Sequence, residues 1–235
     1  MEVGPGLGSL TVALATTGAE VVAVEFDRAL VSALEEVVGG LPNVRLVQAD
    51  AMRVPWAEVV PEGPAAMVSN LPYNVAVPVL LRMLEEAPMV DRFVVMIQRE
   101  VGERVAARVG DPAYGAVSVK VAYAAEARAL RRVPADVFWP APSVESIVVR
   151  LARHPAPPVS VDRQALFTVI DAGFAERRKR MTNALRRLGL DAGAAVSAMN
   201  AAGLPETARA EEIDLAGFGR LTEWLVGRDV IGARA

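Results

Sequence analysis

The chain has 235 residues, 53% of them hydrophobic, enough for a full α/β domain and a smaller appendage around a buried core. A formal net charge of −3 excludes a protein that coats nucleic acid over its whole surface, so any RNA contact is local. The absence of cysteine excludes disulfides and thiolate chemistry, and the one histidine, His154 beside a proline run, reads as a solvated linker residue, which argues against a histidine-based triad or metal site.

The N-terminal part alternates short β-branched runs with longer helical patterns. Strands are expected at Val3 and over residues 21–24, 44–47, 66–68 and 93–97, with helices over 10–17, 28–38 and 77–86. That alternation predicts right-handed crossovers, a mostly parallel sheet and a doubly wound α/β architecture. Residues 127–132 and 146–151 flank a Pro-rich loop and suit an antiparallel pair at one edge. Residues 63–81 carry no charge, but Pro64, Asn70, Pro72, Asn74 and Pro78 interrupt them, so a strand, turn and helix fit better than a membrane span.

Arg153-His154-Pro155-Ala156-Pro157-Pro158 reads as an extended linker, which puts a catalytic domain at residues 1–155 and a second domain at 156–235. Asp162 can cap a helix whose apolar positions Leu166, Val169, Ile170 and Phe174 recur at helical spacing. Asp214 can cap the last helix, so the second domain is small and all-helical.

Glu2-Val3-Gly4-Pro5-Gly6-Leu7-Gly8 puts an acidic residue and three alternating glycines where the first strand turns into the first helix. The spacing is not G-x-G-x-x-G, the dinucleotide fingerprint. Glu25 ends the second strand, where a carboxylate can accept both ribose hydroxyls of a nucleoside. Asp50, followed by Ala51, ends the third, where it can accept from an adenine amine. Each acid alone also reads as a cap or a solvated charge. Together with the glycines they outline a nucleoside pocket with no phosphate-binding cation, which favours S-adenosylmethionine over NAD.

Ser69-Asn70-Leu71-Pro72-Tyr73-Asn74 follows the fourth strand at the same edge. An adenine N6 amine is a poor nucleophile because its lone pair is delocalised into the ring. Acceptors aimed at its two hydrogens favour pyramidalisation and free that pair. The Asn70 side-chain oxygen and the Leu71 carbonyl can be those acceptors, with Pro72 stiffening the loop and Tyr73 stacking on the base.

With these motifs, the chain resembles the KsgA/Dim-type rRNA adenine-N6 dimethyltransferases over nearly its whole length. The glycine loop, the Asp50 segment, Asn70-Leu71-Pro72-Tyr73 and the Phe138-Trp139-Pro140-Ala141-Pro142-Ser143-Val144-Glu145-Ser146 run stand in the family's order. So does the basic stretch Phe174-Ala175-Glu176-Arg177-Arg178-Lys179-Arg180-Met181-Thr182-Asn183. The resemblance implies a Rossmann-like class I methyltransferase fold, with a seven-stranded sheet carrying an antiparallel edge pair and a helical C-terminal domain. It implies transfer of methyl groups from S-adenosylmethionine to two adjacent adenosines in a 3′-terminal hairpin loop of small-subunit rRNA, within an immature subunit in the cytoplasm. No metal is needed, and a monomer is expected. Glu2, Gly4, Gly6, Gly8, Glu25, Asp50, Ala51 and Asn70 would serve the cofactor. Asn70, Leu71, Pro72 and Tyr73 would form the catalytic loop, with Phe138 on the other side of the base.

Between residues 161 and 190 basic residues outnumber acidic ones seven to three. Arg177, Arg178, Lys179, Arg180, Arg186 and Arg187 are therefore expected to meet phosphates, which position RNA without reading its sequence. Arg128, Arg131 and Arg132 extend that track. Family members carry a leading segment with a Gln-Asn-Phe-Leu-like motif ahead of the glycine loop, whereas here Met1-Glu2-Val3 lead directly into it, from which weak cofactor affinity and low turnover are expected. Two alternatives stay open: a large-subunit rRNA dimethyltransferase of the macrolide-resistance type, and a non-catalytic ribosome-assembly or nucleic-acid-binding relative.

Overall fold

The computed structural model describes residues 1–60, 63–176 and 178–232, which divide into two units. In the first, Met1–Ala106 with Ala125–His154, the β-branched runs become β1 (Glu2–Val3), β2 (Val21–Glu25), β3 (Val44–Gln48), β4 (Ala65–Asn70), β5 (Val90–Gln98), β6 (Ala125–Val133) and β7 (Ser146–Arg153). Strands β1, β2 and β3 pair in parallel, as do β4 and β5, while β7 runs antiparallel between β5 and β6. The short β1 joins the two groups: Met1 O accepts from Val68 N at 2.9 Å, and Val3 N donates to Ser69 Oγ at 2.9 Å. Among the described residues the strands thus pair as a three-stranded sheet, β3-β2-β1, and a four-stranded sheet, β4-β5-β7-β6, with β1 lying beside β4.

Helices α1 (Ser9–Ala15), α2 (Arg28–Val38), α3 (Trp56–Val59), α4 (Ala76–Glu86) and α5 (Arg99–Ala106) connect these strands. Asp27 caps α2 by accepting from Ala29 N at 2.8 Å, and the helix buries Val31, Leu34 and Val38, one stripe at helical spacing. Helix α5 was not expected from the sequence. Its Gly102 explains how it packs, since a Cβ there would stand 2.1 Å from Ile147 Cγ2 on β7. Met67, Phe93, Val95, Val149 and Leu151, fully buried, form the centre of this unit. At the end of β7, the Arg153 guanidinium donates to Met83 O, Leu84 O and Ala87 O around the end of α4 and to Val90 O at the start of β5, adding to the backbone bonds that Met83 O and Ala87 O already accept.

The second unit comprises Ala107–Ala124 and Pro155–Ala235. It contains α6 (Ala116–Ala124), α7 (Arg163–Phe174), α8 (Met181–Arg187), α9 (Ala192–Ala201) and α10 (Leu215–Val226). Asp162, Asp191 and Asp214 cap α7, α9 and α10. Leu166, Ile170, Met199, Phe218 and Leu221 fill its core. The linker expected at residues 153–158 coincides with the junction at His154–Pro155, but the units are not contiguous in sequence. Residues 107–124, placed by sequence with the catalytic part, pack with the helices. Tyr114 and Val119 enter the helical core, Tyr114 Oη donates to Ile213 O at 2.8 Å, and Lys120 pairs with Asp171 at 2.6 Å.

Candidate active site

Because β1, β2 and β3 run the same way, as do β4 and β5, their C-terminal ends carry the motif loops at one edge, the place where open α/β sheets bind ligands. A cleft of about 390 Å³ opens beyond β1, β2 and β3. Gly4, Glu25, Asp50 and Ala51 line it, as does Pro72, and Phe26 and Met52 add exposed apolar surface.

Glu25 is buried, and main-chain amides hold its carboxylate: Oε1 accepts from Phe26 N at 2.9 Å and Asp27 N at 3.0 Å, and Oε2 from Gly6 N at 3.3 Å. A carboxylate offers about four lone-pair positions, so capacity remains for a hydroxyl donor in the cleft. Asp50 Oδ1 accepts from Met52 N at 2.8 Å, which closes a turn around Ala51, while Oδ2 meets Arg53 only at 3.6 Å. Arg82 on α4 braces that turn by donating to Ala51 O at 3.0 Å and Val54 O at 2.8 Å while pairing with Glu86. Sequence reasoning missed Arg82. Its i,i+4 spacing to Glu86 signals only a pair along one helix, not the carbonyls that it reaches.

All three glycines have left-handed φ, at +68° for Gly4, +57° for Gly6 and +86° for Gly8, yet their surroundings differ. A Cβ on Gly4 would lie 2.9 Å from Pro72 Cδ, so this glycine lets the first loop approach the Asn70–Tyr73 loop. One on Gly8 would lie 2.5 Å from Leu34 Cδ1, so Gly8 is a packing residue at the start of α1. One on Gly6 would meet nothing within 4 Å. Gly6, Gly8 and Glu2 lie outside the cleft lining. Glu2 is buried beneath the loop, where Oε2 accepts from Thr11 Oγ1 at 2.7 Å. Burial raises its pKa, and the Thr11 hydrogen bond opposes that rise.

A second opening of about 290 Å³ lies beyond β4, lined by Asn70, Leu71, Pro72 and Tyr73 on one side and by Phe138, Trp139, Pro140 and Pro142 on the other. Pro72 borders both openings. Asn70 is exposed, and neither its side-chain amide nor the Leu71 carbonyl bonds another described residue. The Leu71 side chain is buried and its N–H donates to Met96 O at 3.0 Å, which anchors the loop to β5. Tyr73 is fixed by a 2.7 Å hydrogen bond between its hydroxyl and Ser146 Oγ, at the buried start of β7. Thus an asparagine amide and a carbonyl face an opening walled by two aromatic rings, beside a cleft that carries two carboxylates.

The basic segment belongs to the second unit. Arg178, Lys179 and Arg180 are exposed between α7 and α8, and Arg186 is exposed near the end of α8. Arg187 is engaged by Glu176 at 3.0 Å and Ala172 O at 3.0 Å, and Arg177 lies outside the described residues. On β6, Arg128 pairs with Glu126 and Arg132 with Glu103, while Arg131 is exposed.

Residues 1–226 match the family model described as ribosomal RNA adenine dimethylase. The chain is 45% identical to the ribosomal RNA small subunit methyltransferase A of Thermobifida fusca, over 95% of this chain and 79% of that protein. It is 46% identical to the protein of the same description in Acidothermus cellulolyticus, over 95% and 78%. Among solved structures, the 23S rRNA methyltransferase ErmE superposes with a TM-score of 0.70 at 26% identity, over 95% of this chain and 89% of that one. A dimethyladenosine transferase from Plasmodium falciparum superposes with a TM-score of 0.80 at 20% identity, over 97% and 90%, a likeness of fold. Both the family model and the 45–46% identical relatives cover nearly the whole chain, so the protein belongs to the ribosomal RNA adenine dimethylase family.

Proposed function

We propose that this chain transfers methyl groups from S-adenosylmethionine to the N6 atoms of adenosines in small-subunit rRNA, acting in the cytoplasm as a monomer on an immature ribosomal subunit. The observation that carries the reading is the pair of unengaged acceptors, the Asn70 amide oxygen and the Leu71 carbonyl, at the mouth of an aromatic-walled opening that shares Pro72 with a carboxylate-bearing cleft. The cleft residues fit the cofactor. The fixed Glu25 carboxylate suits ribose hydroxyls, Asp50 an exocyclic amine, and the exposed Phe26 ring an adenine face.

When bound, the cofactor supplies an electrophilic methyl on a sulfonium whose departure as a neutral thioether needs no acid. The protein's work is then positioning. Asn70 Oδ1 and Leu71 O accept the two N6 hydrogens, which pulls the amine out of conjugation and turns its lone pair toward the cleft. Tyr73, held by Ser146, and Phe138 hold the base between them. A loop adenosine is already partly unstacked, so drawing it in costs little. Arg178, Lys179, Arg180 and Arg186 bind phosphates.

The test is mass spectrometry of immature small-subunit RNA after incubation with the protein and isotope-labelled cofactor. N6-dimethyladenosine is expected with the native chain, and Asn70→Ala should still bind particles while losing methylation. Native protein that binds the particles but transfers no methyl would establish the non-catalytic alternative. The ErmE likeness favours a second reading, a large-subunit substrate. Labelling of naked large-subunit RNA in preference to small-subunit particles would replace the first reading with it.

A further inference from the structure

The protein has three tryptophans, and their environments differ sharply. Trp56 is wholly buried, and Trp224 is partly buried with the Arg228 guanidinium 4.0 Å over its ring. Trp139 is 98% exposed. Folding therefore leaves the largest apolar side chain in water, at the rim of the opening bounded by Tyr73 and Phe138. Val137 and Val144, 63% and 41% exposed, add apolar surface on the same loop. The strand leading into this loop carries exposed arginines a few residues earlier on β6, Arg131 and, paired on one side with Glu103, Arg132.

An exposed aromatic fed by a basic strand is the combination that binds single-stranded nucleic acid, charge tracking the backbone and rings taking the bases. An apolar protein partner would not favour the cations. Covalent continuity decides which base is concerned. A polynucleotide with one base between Tyr73 and Phe138 must lay its next nucleotide on the rim, and both faces of the Trp139 indole are uncovered there. We propose that Trp139 is the stacking platform for the nucleotide flanking the target adenosine, an inference that rests on the RNA-methylation reading above.

The experiment uses the full chain, its Trp139→Ala and Trp139→Phe variants, and a synthetic RNA hairpin with unpaired loop adenosines. Trp139→Ala should raise the RNA KM about ten- to hundredfold, the range expected for one lost base–aromatic stack. It should leave the thermal midpoint and the affinity for S-adenosylhomocysteine in place. Trp139→Phe should recover most of the loss. RNA should quench the native tryptophan emission, and most of that quench should be lost in Trp139→Phe because Trp56 is wholly buried and Trp224 partly so. An RNA with an abasic target position should still quench.

An unchanged RNA KM in Trp139→Ala, or a quench that largely survives in Trp139→Phe, would overturn the proposal. So would a quench lost with the abasic RNA, which would make Trp139 a wall for the target base itself. Native protein that is quenched by RNA but transfers no methyl would sink the enzymatic reading and leave the stacking role intact. Native methylation with an unaffected Trp139→Ala would do the reverse.

Discussion

Replacing Gly4 by alanine tests whether the glycine loop serves the catalytic loop directly. At φ +68° a side chain costs about 1–2 kcal/mol of backbone strain. The new Cβ would also stand 2.9 Å from Pro72 Cδ and 3.0 Å from its Cγ. Carbon atoms rest at about 3.5–4.0 Å, so the proline ring must retreat by roughly 0.5–1 Å. Pro72 borders both openings and follows Asn70 and Leu71, so under the proposed mechanism its retreat misplaces these two acceptors against the amine. A displacement of about 1 Å is worth up to ~100-fold in rate. Gly4→Ala should therefore lower kcat about 30- to 100-fold while unfolding free energy falls by only ~2 kcal/mol. Gly6→Ala is the control, with a comparable φ of +57° but nothing within 4 Å of its Cβ, so it should carry the strain without the kcat loss. Single-turnover methylation at saturating cofactor and RNA, with denaturant titration of each variant, reads both terms. Equal kcat losses in the two variants would refute the contact argument, because strain or blocked ligand approach would then suffice.

Arg153→Met should cost about 3 kcal/mol in denaturant unfolding, since it removes four guanidinium hydrogen bonds, to the carbonyls of Met83, Leu84, Ala87 and Val90; a loss under about 1 kcal/mol would mean that water replaces the guanidinium. Burial raises the pKa of Glu2, so the folded state binds its proton more tightly than the unfolded chain and stability declines as pH rises from below the ordinary carboxylate pKa through the raised value. Glu2→Gln should flatten that decline, and an unchanged stability–pH profile would show that Glu2 does not contribute to it. Removing Arg178 or Lys179 should each reduce the slope of log RNA affinity against log salt by about 1 or slightly less, for all RNA sequences alike. A slope that stays put would place the phosphates elsewhere.

Much of both units was legible because their signals are local. The β-branched runs, Asp162 and Asp214 as caps, and acids at strand ends depend on spacing along the chain, and the structure places Glu25 and Asp50 on one cleft and Asn70 with Tyr73 on the next. Composition and motif order also carried the family, since they depend on which residues occur and in what order. Distances across the fold were not legible. Nothing near Arg82 in sequence says that its guanidinium reaches the Ala51 and Val54 carbonyls, and nothing in three equal-looking glycines separates Gly4 against Pro72 from Gly8 against Leu34.

Sequence by itself thus determined most strands and the capped or strongly periodic helices, the motif loops and the chemistry those loops can offer, because propensity, capping and residue type act over a few positions. Tertiary structure alone decided that residues 107–124 join the helical unit, that Glu2 lies beneath its loop rather than in the cleft, and that Trp139 stands in water beside the opening. Those outcomes depend on which surfaces meet after the chain has folded back on itself. Burial is a property of the neighbours a residue acquires in space, and the linear order of residues does not state who they are.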